Sequence, residues 1–118
     1  MRIDVASSVV NLTPHLISVF DAAGEVLAEY PPTGAVVRLE SSFDPTGQVE
    51  GVPVGGLGYG RVVGLPPPTP GVLLVVSLPV KLCVPLRPDV ATVAMEVRDA
   101  TGRIIGCRGL ANNVTMGE

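Results

Sequence analysis

Tryptophan is missing from this chain, and tyrosine and phenylalanine number two each. Any core must therefore be built from valine, leucine, isoleucine and alanine, and apolar residues still make up 47% of the chain. The abundant valine is stiff at its β-carbon and favours strands over helices. Long uninterrupted stretches are missing as well. Fourteen glycines and twelve prolines cut the chain into segments too short for extended helices. With 118 residues, one domain spanning 1–118 is expected. The predicted class is mainly β: a small single-domain barrel or sandwich of short antiparallel strands and hairpins, with at most one short helix near 77–84.

Basic residues are also scarce. Lys81 is the single lysine, seven arginines are dispersed one at a time, and the net charge is −3. A nucleic-acid partner requires a dense basic footprint that releases counterions from phosphates, so no such partner is expected. Two cysteines, Cys83 and Cys107, are too few for a disulfide scaffold, and free thiols in a reducing compartment are the expectation. "MRIDVASSVV" lacks the apolar core of a signal peptide. The greasiest stretch, "PGVLLVVSLPVKLCVPL", carries Lys81 and internal prolines and falls short of the ~20 apolar residues that span a bilayer. A cytoplasmic protein without membrane contact is expected.

What is present is turn chemistry. "DAAG" (21–24), "DPTG" (44–47) and "DATG" (99–102) each begin with Asp and end with Gly. Asp bonds its own backbone two residues on, and Gly takes the positive φ that closes the turn. Hairpins are predicted for "LISVF"/"EVLAEY" and for "AMEVR"/"RIIGC". "AVVRLE" reads as a strand, and "QVEGVPV" and "YGRVVGL" bracket a glycine-rich connector, "GGLGYG" (55–60). "PPPTPG" (66–71) is a stiff extended link, and "VLLVVS" is a strand apolar on both faces. Ser77 suits the N-cap of a short helix with Pro79 in its first turn and Pro85 beyond its end. The last residues, 111–118, lack a pattern and are expected to fray.

Catalytic constellations are absent. "GGLGYG" has neither the Gly-Lys-Ser/Thr of a P-loop nor the βαβ frame of a dinucleotide site. His15 is the only imidazole, and no nucleophile elbow occurs. One histidine and two isolated cysteines lack the close ligand pairs of a zinc site, and the Asp turns supply single carboxylates rather than the oxygen cage calcium needs. No cofactor or metal is expected. Polar groups do gather where apolar strands start or stop: Asn11, Thr13 and His15 before "LISVF", Arg38 in "AVVRLE", Ser77 after "VLLVV", Arg87 and Asp89 in "RPD", and Arg108 after "GRIIGC". Strand ends converge at rims, where binding sites form. Guanidinium groups among Ser, Thr, Asn and His suit an anionic ligand.

With "NLTPH" (11–15), "PPTGAVVR" (31–38), "GLPPPTPGVLLVVS" (64–77), "RPDV" (87–90) and "GRIIGCRGL" (102–110) in this order, the chain resembles a family of small uncharacterised proteins of phages, prophages and actinobacterial genomes. It departs from that pattern after "VVS", where Pro79 and Pro85 shorten the helix. The resemblance implies a small phage-type protein acting in the host cytoplasm. Three functions are then open. One is a non-catalytic binding protein that sequesters an anionic, nucleotide-like signal in an arginine-containing pocket. A second is a virion component or host-protein inhibitor using strand edges and the proline-rich segment. The third is an enzyme built on His15. The nearly continuous apolar run at 71–86 leaves a small monomer short of cover, so a homo-oligomer is expected.

Overall fold

A computed structural model describes residues 8–117; the signal-peptide question at "MRIDVAS" and the last residue, Glu118, lie outside the described residues. Eight strands and one helix follow in the order β1 (Ser8–Asn11), β2 (Ile17–Phe20), β3 (Val26–Tyr30), β4 (Arg38–Val49), β5 (Val52–Val63), β6 (Val72–Val75), α1 (Leu78–Cys83), β7 (Val90–Arg98) and β8 (Ile104–Ala111). The mainly-β architecture with one short helix is as expected. Six strands form a single sheet in the order β1-β6-β7-β8-β2-β3. It curls into a nearly closed barrel, and the outer strands β1 and β3 meet at one corner, where Asn11 Nδ2 donates to the Tyr30 carbonyl at 2.8 Å.

The two hairpins read from the Asp…Gly turns are present: β2–β3 and β7–β8 are antiparallel. Asp21 Oδ1 accepts from the amides of Ala23 and Glu25, and Gly24 and Gly102 take positive φ. The pairings between them differ from the expected antiparallel set. β1–β6, β6–β7 and β2–β8 are parallel, each joined through a long connection: β2–β5 between β1 and β6, α1 between β6 and β7, and β3–β7 between β2 and β8. "VLLVVS" behaves as read. β6 is interior, with Leu74 in one buried cluster, joined there by Val76 just past the strand, and Val75 in the other.

Ser77 holds the N-cap position of α1 in an extended conformation without a side-chain cap bond, and Pro79 lies in the first turn. Val80 and Lys81 are the buried face of that helix. Beyond β8, residues 112–117 carry no regular structure, yet Asn112 Nδ2 ties this tail to the Pro88 carbonyl at 3.0 Å.

Parallel contact between β8 and β2 depends on one glycine. A β-carbon on Gly106 would lie 2.5 Å from the Ser18 carbonyl oxygen and against the Phe20 ring. Backbone cannot yield as a flexible side chain does. Gly106→Ala is therefore expected to cost about 2 kcal/mol by overpacking, measured as a lower urea midpoint with unchanged slope.

The remaining two strands do not belong to the barrel. β4 and β5, twelve residues each, pair only with one another. They form an antiparallel arm whose root packs on the core through Leu39 and Val62. From Glu40 to Arg61 every residue is exposed. This corrects two expectations. "DPTG" is not a turn: Gly47 does not take positive φ, and the segment is an irregularity within β4. "GGLGYG" is not a connector but the middle of β5. The chain reverses instead at Glu50 and Gly51, with φ of 53° and 79°, the left-handed pair that suits the twist of a two-residue hairpin.

Candidate functional site

The turn "NLTPH" is organised from within by Asn11, which is 1% exposed. Its Oδ1 accepts from the Thr13 amide (2.9 Å) and the Thr13 hydroxyl (2.7 Å). Its Nδ2 donates to the carbonyls of His15 (2.7 Å) and Tyr30 (2.8 Å). Thr33 Oγ1 donates to the Asn11 carbonyl at 3.0 Å. Pro14 and His15 are thereby pushed to the surface, and the fold uses His15 through its main chain while its imidazole stays exposed.

Directly above this turn lies a groove of about 850 Å³. Its walls are Leu16, Ile17, Leu78, Val93, Ile104 and Ile105, with Val76 and Cys107 beneath. Thr13, His15, Ser18, Ser77, Thr92 and Glu96 supply the polar atoms. Leu16, Leu78, Val93, Ile104 and Ile105 are each between 41% and 54% exposed, so the groove is an apolar trough facing solvent. The groove lies where the start of β2, the start of α1 and the β7–β8 hairpin come together. Burial pushes the Cys107 thiol up from its ordinary range, which suppresses the reactive thiolate. Cys107 and the exposed Cys83 are both free.

Of the residues expected at a binding rim, the structure brings Thr13, His15 and Ser77 to this groove and leaves the others elsewhere. Asn11 is the buried organiser beneath it. Arg38 is exposed at the first position of β4, opposite Val63. Arg108 donates to the Asp21 carbonyl at 3.0 Å, tying β8 to the turn after β2.

Arg87 and Asp89 make a separate lock. Arg87 Nη2 meets Asp89 Oδ2 at 2.6 Å and Nε meets Oδ1 at 3.1 Å, while Nη2 also donates to the Pro66 carbonyl at 3.0 Å. Lys81, 1% exposed, donates from Nζ to the Arg87 carbonyl at 2.8 Å. Of Arg38, Arg87 and Arg108, two are engaged with the fold and none lines this groove, whose carboxylate, Glu96, is paired with Arg98 at 3.3 Å.

Two surfaces escaped the sequence reading: the apolar walls of the groove and the apolar side chains of the arm. Among the described residues no cluster of three or more His, Cys, Asp or Glu could hold a metal ion, and no helix is long and apolar enough to cross a membrane. Comparison with family models, with curated proteins and with solved structures gave no match for this chain.

Proposed function

We propose that this protein is a non-catalytic assembly protein that works by self-association through the β4–β5 arm. The observation that carries this reading is the arm itself. A two-stranded ribbon is marginal in water when nothing covers it. Yet this ribbon runs free of the barrel for most of its length and displays Phe43, Val49, Val52, Leu57 and Tyr59, each more than half exposed. Contiguous exposed apolar surface on a small protein marks an interaction site. The reading belongs to the interaction or virion-component class anticipated from the sequence. It also agrees with the homo-oligomer expected from a chain short of cover.

An anionic, nucleotide-like ligand is the less favoured reading, because no guanidinium lines the groove and Arg98, beside it, is already paired with Glu96 at 3.3 Å. A thermal-shift panel of nucleotides and cyclic dinucleotides tests that alternative, since a ligand bound only by the native state raises the melting temperature.

Sedimentation velocity over a hundredfold concentration range tests the assembly reading. The wild-type chain is expected to sediment as more than a monomer. A variant in which Asn-Gly joins Ser42 to Gly58, removing the outer arm while keeping a hairpin register, is expected to be monomeric with the same circular dichroism. A wild-type chain that is monomeric throughout overturns the proposal.

A further inference from the structure

Independently of the arm, we propose that the groove above the "NLTPH" turn binds a small, neutral, mainly aliphatic molecule with one hydrogen-bonding oxygen, and that the Thr92 hydroxyl meets that oxygen. Thr92 is 4% exposed and lines the groove. Its hydroxyl nevertheless makes no hydrogen bond to any of the described residues. Folded proteins nearly always give a buried hydroxyl a partner. Among the described residues, every side-chain polar atom fully sealed from solvent has one. The Thr92 oxygen is therefore not sealed; it opens onto the groove that the residue lines. A donor held on a buried floor and left unused is an anchor for something that enters from outside.

The surroundings define the rest of the molecule it takes. Ile17, Val76 and Cys107 are buried beside Thr92 in the lining, and a buried thiol packs as a small apolar group. The volume of about 850 Å³ lies in the range of small-molecule clefts, which are mostly apolar with a few placed polar groups. Charge argues for a neutral occupant. Glu96 is paired with Arg98 at 3.3 Å, and His15 is exposed to water rather than set on the floor. Ser77, exposed at the start of α1 and without a side-chain cap bond, offers a second hydroxyl at the margin.

A peptide fits these walls less well. Each of its residues brings an N–H and a C=O that would lie against aliphatic side chains without partners, whereas one buried hydroxyl satisfies one oxygen. The backbone of β7 is also strained beside Thr92. Met95, between the lining residues Val93 and Glu96, has a φ of 62°. Non-glycine residues keep that left-handed conformation where their surroundings impose it, ligand sites among them.

The test titrates the full chain with Nile red, a neutral carbonyl-bearing dye that brightens in apolar surroundings, and then displaces it with 2-decanone or n-decane. Saturable binding of the dye is expected. Thr92→Val keeps the shape and removes the hydroxyl. It is expected to weaken 2-decanone roughly tenfold, the worth of one hydrogen bond, and to leave n-decane within about twofold. Thr92→Ser, which retains the hydroxyl, is expected to keep the wild-type preference. Because the hydroxyl has no partner in the fold, Thr92→Val is expected to melt no lower than the wild type. Ile105→Glu, at an exposed position, is expected to abolish dye binding with unchanged circular dichroism. An absence of saturable binding overturns the proposal, as does binding that survives Ile105→Glu, which would place the dye elsewhere. Equal effects of Thr92→Val on ketone and alkane also overturn it. If Ile105→Glu turns an oligomeric parent into monomers, the groove seats another subunit and the proposal falls while self-association stands.

Discussion

Replacing Asn11 by alanine is expected to lower the unfolding free energy by about 4 kcal/mol, the sum of four lost side-chain hydrogen bonds and the penalties of buried groups left without partners. The amide of Asn11 has two donor hydrogens and an oxygen with two lone pairs, and all four are used. Alanine takes the side-chain partner from the Tyr30 carbonyl and the Thr13 amide at once, and leaves the His15 carbonyl only the longer bond from the Thr13 hydroxyl at 3.3 Å. It also releases the corner where β1 and β3 approach. A loss of this size corresponds to a fall in melting temperature of roughly 15 °C for a domain of this length.

Asn11→Asp separates the donor half from the acceptor half. It keeps the oxygen that Thr13 uses, loses both donors, and sets a carboxylate against two carbonyls. Its own folded-state pKa is thereby raised. The variant is expected to gain stability as the pH falls and that carboxyl is protonated, which Asn11→Ala will not do. Thermal melts of the two variants between pH 4 and 7 check this; parallel pH profiles would refute the account.

The second large effect lies at the Arg87–Asp89 lock. Side-chain exposure is 24% for Arg87 and 10% for Asp89, so the pair is shielded from solvent and held by a two-pronged fork. Arg87→Ala leaves the Asp89 carboxylate with the attraction of Lys81 alone and leaves the Pro66 carbonyl without its guanidinium partner. A cost of about 3 kcal/mol is expected for one side of a buried pair. Arg87→Lys will recover little of it, since an ammonium does not match the fork.

The same pair sets an acid limit. The hydrogen bond from Arg87 holds the Asp89 carboxyl below its ordinary value, with burial opposing. A carboxyl whose folded pKa is depressed contributes stability that is fully present above its unfolded pKa of ~3.9 and is lost as the pH falls through the folded value. Denaturant titrations from pH 6 downward should show a slope in the wild type below pH 4 that is reduced in Arg87→Ala. Lys81 acts at the other end of the scale. Burial pushes its ammonium down from the ordinary range, with Asp89 opposing. That cost fades as the pH rises toward its unfolded value of ~10.4.

Both hairpins of the barrel were legible in the sequence because their information is local. Asp21 and Asp99 each carry their own hydrogen-bond acceptor to the turn, and Gly24 and Gly102 need no Cβ allowance. Interior β6 was legible too, from its unbroken apolar run. "DPTG" shows where this local grammar stops: Asp44 and Gly47 have the same letters, yet the partner that fixes their conformation is β5.

The parallel pairings of β1 with β6 and β2 with β8 join residues far apart in the chain, and no local signal reports such contacts. The rim residues failed for the same reason. Arg108 lies inside β8 and Arg87 between α1 and β7; Asp89 stands beside Arg87 in "RPD", but the carbonyls of Pro66 and Asp21 that the two arginines also bond are far off in the sequence. One signal was available and passed over. "GLGYGRV" alternates large and small side chains with period two, the mark of a strand with one apolar face.

Because Arg38 and Val63 face each other across the root of the arm, the whole excursion enters and leaves the barrel at one point. Its length is then independent of the barrel's topology. Adding or removing two residues in each strand shifts the tip by about 7 Å and keeps the outer side chains on their faces, whereas one residue in each strand turns them to the opposite face. Arm length can thus be changed in residue pairs without altering the pairings that hold the barrel together.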